Sequence, residues 1–308
     1  MAALVKIFLF PGLLFLSAYG LCLEFLDRKL YARLQNRIGP PWYQPLADLL
    51  KLVGKETIVP RDAKEKRFRI LPMVSLTCVV TAFLYVPAAG VGASASFAGD
   101  LIIVLYLSMV PALVAFLAGW YSRSVFATIG CTRTLTQLFS YEAPLFLSLL
   151  APAVLAESWS VTDIGAFYRA NPALELLNIP AFLVAMTAVQ GKLERVPFDQ
   201  SEAETEIASG VYVEYSGRLL AVFRLTSDCE MVLMLSLISA VFLPFATGNA
   251  PVDFLLYVVK TCVLLALLSL VRAAMGRLRI EQATAFLWKT VALAEMLFVI
   301  LMRGGLGL

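Results

Sequence analysis

Apolar residues run along this chain in long blocks, each near the roughly 20 residues that carry a helix across a bilayer. The blocks fall at about residues 7–26, 70–90, 101–121, 135–155, 176–191, 220–246, 254–271 and 285–302. Their lengths predict an all-α, polytopic membrane protein with about eight transmembrane helices. The fifth block is short and Pro180 interrupts it, which makes it the weakest of the set. The first block is too long for a signal-peptide core, and no small-residue cleavage pattern precedes Asp27, so it reads as a retained helix.

The polar stretches carry their own pattern. Between Tyr43 and Lys55, Leu46, Leu49, Leu50 and Val53 recur at helical spacing, with Asp48, Lys51 and Lys55 on other faces. Pro40, Pro41 and Pro45 break the chain before this segment, and Gly54 with Pro60 ends it. It is a candidate amphipathic helix lying in the membrane plane, with a loop helix packed on a soluble partner as the alternative.

Basic residues crowd alternate loops. The first loop alone holds Arg28, Lys29, Arg33, Arg37, Lys51, Lys55, Arg61, Lys64, Lys66, Arg67 and Arg69. Arg123 and Arg133, then Lys192, Arg195, Arg218 and Arg224, then Arg272, Arg277 and Arg279 fall on the same side, while the opposite loops offer only Arg169. Positive residues resist translocation, so these loops are expected on the cytoplasmic side of a cell inner membrane, with both termini outside.

Composition narrows the chemistry. With 60% hydrophobic and 15% charged residues, lipid is the expected solvent. A net charge of +3 gathered in a few loops argues against a nucleic-acid partner. There is no histidine, and the five cysteines show no spacing for a cluster or zinc site. No metal or cofactor site and no catalytic residue is assigned; any redox centre is expected in a partner.

Ionisable residues inside apolar blocks are expensive and default to function. Glu142 lies in the fourth block, within Phe139-Ser140-Tyr141-Glu142-Ala143-Pro144; its bland alternative is a salt bridge to Arg133. Glu24 and Asp27 close the first block, while Lys260, Lys289 and Glu295 in the last two are left open between function and snorkelling. The most acidic loop runs from Glu194 to Gly217. A helix beginning at Asp199 would align Asp199, Glu202 and Glu206 on one face, with Glu204 turned away. Asp199 with Glu202 also fits a helix cap, whereas Glu202, Glu204 and Glu206 together favour proton handling.

Read in order, these segments resemble the complex I subunit 1 family, whose relatives include the membrane subunit of formate hydrogenlyase and of other energy-converting nickel-iron hydrogenases. The resemblance rests on Asp27-Arg28-Lys29, Gln35-Asn36-Arg37-Ile38-Gly39-Pro40, Gln44-Pro45-Leu46-Ala47-Asp48, Ser140-Tyr141-Glu142, Pro197-Phe198-Asp199, Glu214-Tyr215-Ser216 and Val271-Arg272-Ala273. It implies a single membrane domain that docks a peripheral redox arm and carries a string of acids, here Glu142, Asp199, Glu202, Glu204, Glu206, Glu214 and Asp27. Docking is implied for Arg28, Arg37, Gln44, Asp48, Lys51, Arg195, Arg272, Arg277 and Arg279.

The implied partners are hydrogenase-type large and small subunits, an iron-sulfur subunit and antiporter-like membrane subunits. Iron-sulfur clusters and a nickel-iron centre would sit in those partners, with flavin and quinone in a complex I. Only Pro41-Trp42-Tyr43 separates two blocks that stand further apart in quinone-reducing members, and Arg224 to Asp228 replaces an aromatic-rich run ending in Glu. Both departures resemble the hydrogenase branch. The corresponding subunit of NADH-quinone oxidoreductase, complex I itself, is the second expectation. A freestanding secondary transporter is a third, although its inverted repeat is not visible, and a passive anchor is a fourth.

Overall fold

The computed structural model describes residues 2–61, 63–201 and 204–305, with side chains placed for 4–61, 63–201 and 206–301. Its elements in chain order are α1 (Ala2–Phe8), α2 (Leu13–Leu34), α3 (Gln44–Gly54), α4 (Glu65–Phe83), α5 (Asp100–Ser122), α6 (Val125–Leu155), α7 (Val161–Ala170), α8 (Pro172–Glu175), α9 (Ile179–Lys192), α10 (Glu204–Ile207), α11 (Gly217–Phe242), α12 (Ala250–Ala274), α13 (Ile280–Ala285) and α14 (Leu293–Gly305). A π-helical segment, Phe286–Ala292, joins the last two.

Among the described residues, seven helical stretches are long and apolar enough to cross a membrane. They match seven of the eight expected blocks. The remaining block is α4, which starts earlier and stops earlier than expected, at Phe83. Its first turns carry Glu65, Lys66, Arg67 and Arg69, so the uncharged part is shorter than a full span. The fifth block is a sound helix, because Pro180 stands in the first turn of α9, where a missing N–H costs nothing.

Helix α11 is the most enclosed span. It packs on α2, α3, α4 and α12, while α6 packs on α5 and α9. The core runs through Leu16, Leu23, Val79, Phe83, Leu149, Val189, Leu233, Leu237 and Leu264, drawn from six helices that each turn a face inward. Large apolar side chains such as Tyr106, Leu183, Leu255, Leu270 and Leu301 face out, as lipid permits.

The in-plane candidate is helical over α3. Pro45 is buried and Leu49 and Leu52 line an internal cavity, whereas Leu46, Leu50 and Val53 are exposed. The apolar side chains of α3 therefore divide between two adjoining faces, one toward α2 and α11 and one off the protein.

The start of the loop after α3 is held closely against the start of α11. Gly217 has a positive φ of 57°, and a Cβ there would lie 2.5 Å from the Glu56 carbonyl oxygen. Beside it, Tyr215 stacks on Phe68 at 3.9 Å between ring centroids, and burial pushes its phenol well above the ordinary range. Gly217→Ala is expected to destabilise the protein by about 1–3 kcal/mol, the scale of a forced backbone conformation, read as a lower unfolding midpoint in detergent.

Candidate functional site

A cavity of about 550 Å³ opens between α2, α3 and α11. Its wall includes the acids Glu24, Asp27, Asp48, Glu194, Asp228 and Glu230 and the bases Arg28, Lys192, Arg195, Arg224 and Arg272. That is six acids against five bases, so the lining balances when one carboxyl holds a proton. Net charge on the buried part of this lining is costly, which makes such a lining suited to proton uptake.

Three bonding groups organise the wall. Nearest α3, Arg28 donates to Glu24 at 2.6 Å and to Asp48 at 2.9 Å, and Gln44 donates to the other Asp48 oxygen at 2.9 Å. Helix α3 is thus tied to α2 by charge.

Deeper in, Asp27 is 1% exposed and collects three donors. Arg195 reaches it at 3.0 Å, Arg272 at 2.9 Å and the Ser269 hydroxyl at 2.6 Å. Arg272 also lies 4.4 Å from the centre of the Tyr31 ring. Bonds from one carboxylate therefore join α2, the loop after α9, and α12.

The third group lies on the α6 side. Lys192, at the C-terminus of α9, is wholly enclosed; its Nζ donates to the Ser108 carbonyl at 2.7 Å and pairs with Glu230 at 3.4 Å. It also sits 5.3 Å from the centre of the Tyr141 ring. Glu142 lies within electrostatic reach of Lys192 and of Glu230. Among the described residues, the Tyr141 hydroxyl and one Glu142 oxygen are buried with no hydrogen-bond partner. One cation thus pairs with one carboxyl and has a second within electrostatic reach, with open polar atoms nearby.

The expected site residues divide. Glu142 and Asp27 belong to the buried cluster. Asp199 does not begin a helix: residues 193–201 form turns, and α10 is a single turn. Phe198 is the reason, since it is buried against Tyr141 and Leu287 while Gln137 donates to the Gly191 and Phe198 carbonyls at 2.7 Å each. A helix running from Asp199 to Glu206 is therefore not formed over 199–201. Asp199 is half-buried in the turns, Glu202 and the Glu204 side chain lie outside the described residues, and Glu214 is half-buried before α11.

Arg133 pairs with Glu206 at 2.6 Å on the surface, and among the described residues Glu142 forms no salt bridge to Arg133 or another arginine, the alternative to a functional role. The guanidinium holds the Glu206 carboxyl below its usual range. Whatever this exposed pair contributes is present above the ordinary carboxylate range and fades as pH falls through the lowered value. Glu206→Gln is expected to leave stability nearly unchanged at physiological ionic strength, with any difference from wild type growing at low salt in thermal unfolding.

Of the expected docking residues, Arg37, Lys51, Arg277 and Arg279 are on the surface. Arg195 and Arg272 instead turn inward onto Asp27, and Arg28, Gln44 and Asp48 bind one another. A carboxylate at the end of α2 competes successfully for cations that loop position alone would leave at the surface.

Sequence reasoning counted Lys192 only toward topology, passed over Glu230 and treated Asp228 only as part of a departure from a family pattern. The signal was present: Asp228 and Glu230 are acids within the otherwise apolar block at 220–246.

A family model described as NADH dehydrogenase matches residues 5–303. Among relatives, the H-type subunit of NADH-quinone oxidoreductase from Dehalococcoides mccartyi is 32% identical over 271 residues, covering 86% of this chain and 76% of the relative. NADH-quinone oxidoreductase subunit 8 of Thermus thermophilus is 35% identical over 306 residues, covering 94% and 82% respectively. Among solved structures, a chain of the membrane-bound sulfane sulfur reductase, an archaeal respiratory membrane complex, matches with a TM-score of 0.89. Identity there is 24%, over 98% of this chain and 100% of that one, which speaks for the fold.

Proposed function

We propose, from the premise that this chain belongs to the NADH dehydrogenase family of complex I subunit 1, that it anchors and couples a complex I-like membrane-bound nickel-iron hydrogenase. As a multi-pass membrane protein it would dock the peripheral redox arm at α3 and its neighbouring loops, in the inner membrane with both termini outside. The single observation that carries the coupling role is the enclosed sequence of Glu142, Lys192 and Glu230 opening into a cavity with one acid in excess.

Reduction of a docked arm changes the field at the cavity. A change there alters how Lys192 is shared between Glu142 and Glu230, and so which carboxyl holds a proton. The chain moves no electrons itself; the iron-sulfur and nickel-iron centres belong to partners, and protons or sodium ions cross in antiporter-like subunits. Asp199, Glu202, Glu204, Glu206 and Glu214 sit in the loop that would face the arm.

The hydrogenase branch rests on the short Pro41-Trp42-Tyr43 junction before α3. A quinone-reducing complex I is the second reading, supported by a cavity volume in the range of small-ligand sites.

Purification of the tagged chain with its native complex tests both. The first reading expects nickel and hydrogen oxidation in the complex, the second flavin and NADH oxidation. Isolation as a lone oligomer overturns both in favour of a transporter. In sealed vesicles, Glu142→Gln should preserve electron transfer and suppress ion movement; full coupling in that variant removes the carboxyl relay.

A further inference from the structure

The last membrane element holds a carboxyl that the cavity does not use. Glu295 stands in the first turn of α14 and is 1% exposed, and its Oε1 is buried with no hydrogen-bond partner. Leu293, Met296, Leu297, Ile300 and Leu301 on the same helix are exposed, so the apolar side of α14 faces out and Glu295 faces in. Inward of it lie α6 and α9.

Among the described residues, the charged side chains on the packed elements are engaged elsewhere or exposed. On α6, Arg133 is committed to Glu206, and Tyr141 and Glu142 lie beside Lys192. On α9, Lys192 is committed to Ser108 and Glu230. On the π-helical segment Lys289 is exposed, as is Glu281 on α13. Among the described residues none forms an ion pair or side-chain hydrogen bond with Glu295.

An enclosed carboxylate with no cation is strongly disfavoured, whereas the neutral acid is tolerated. A purely structural carboxyl would be expected to satisfy its oxygens, and this one leaves Oε1 open. The backbone just before it is the π-helical run Phe286–Ala292, a geometry that concentrates at functional positions.

That run is tied to the α6 segment carrying Glu142. Trp288 in that run donates to the Phe139 carbonyl at 3.2 Å, and just before the run, on α13, Thr284 accepts from the Ser140 hydroxyl at 3.0 Å. Leu287 and Val291 pack with Tyr141.

We propose that Glu295 is a second proton-exchanging carboxyl, held as the neutral acid at rest and opened to water when the α6 contact with the π-helical run shifts. Release transfers the proton from a carboxyl oxygen to an entering water, leaving carboxylate and hydronium; reloading is the reverse, and no electron moves. Glu295 is separate from the group of Glu142, Lys192 and Glu230 but hears it through Ser140 and Phe139. Its place in ion movement rests on the coupling role proposed above; its protonation at rest does not.

Reduced-minus-oxidised infrared difference spectra of the whole complex, in H2O and D2O, read both properties. The expected result is a deuterium-sensitive carbonyl band of a neutral carboxylic acid that vanishes in Glu295→Gln and moves in Glu295→Asp. In vesicles, Glu295→Gln should slow ion ejection about tenfold or more, the least expected from losing a positioned acid or base, with electron transfer by the arm retained. A band that persists in Glu295→Gln, or ejection unchanged by it while Glu142→Gln blocks ejection, overturns the proposal. Ejection that also survives Glu142→Gln points instead to failure of the coupling role. The Glu295→Asp spectrum keeps the test decisive if the glutamine variant does not assemble.

Discussion

Asp27→Ala should destabilise the protein by about 3–5 kcal/mol, the cost of leaving buried charges without their partner. Asp27 is nearly inaccessible and binds Arg195 and Arg272 through separate oxygens at 3.0 and 2.9 Å. Its removal leaves two guanidinium groups facing each other, with their Coulomb repulsion weakly screened by solvent. Arg195 also approaches the Met231 sulfur at 2.9 Å, so it cannot swing out without disturbing α11. The loss is therefore expected to spread to α11 and the cavity wall, and to show as a lower unfolding midpoint in detergent and reduced recovery of the assembled complex.

A triple variant separates charge from packing. Asp27→Leu with Arg195→Met and Arg272→Leu removes every charge of the group together, and apolar replacements of similar volume are commonly neutral or stabilising. Recovery of the midpoint in the triple variant identifies the deficit as unpaired charge. A triple variant as weak as Asp27→Ala would instead place the deficit in side-chain shape.

Why some of this was legible in the sequence, and some not, follows from how each feature is encoded. Lipid forces every span to be a helix, so apolar length alone located α2, α5, α6, α9, α11, α12 and the α13 to α14 stretch. Helical spacing likewise located α3. Pro180 misled in the cautious direction, since its effect depends on whether it begins a helix or interrupts one.

The acidic loop failed for a different reason. Spacing of Asp199, Glu202 and Glu206 has meaning only within a helix, and Phe198 instead anchors that segment as turns against Tyr141. Nothing local in the sequence says that Phe198 will find Tyr141, which lies on a different helix far back along the chain. Arg195 and Arg272 illustrate the same point, because Asp27 draws them inward from distant segments. Loop charge patterns report topology well, but pairing between loops is a tertiary result. Glu230 was within reach of sequence reasoning: an acid among apolar positions of a span carries its own signal.

Lys192→Met tests the centre of the site and should have the larger functional effect. Methionine fills most of the lysine volume in this enclosed position and keeps the apolar stem against Tyr141, so packing is largely retained. What vanishes is the cation paired with Glu230 and within reach of Glu142, together with the donor to the Ser108 carbonyl. Two enclosed carboxyls without that cation cannot both ionise, and a proton is then held in every state of the arm. A permanently loaded site passes no proton, so ion ejection should fall by about a hundredfold or more while the redox arm still turns over. Lys192→Met with Glu230→Gln should recover stability, since the unpaired charge is gone, yet not recover ejection. That split between stability and coupling is the expected signature of a working relay. If the double variant regains both, or if Lys192→Met ejects ions at the normal rate, Lys192 is a structural tie between α9, α5 and α11, and the path of protons lies elsewhere.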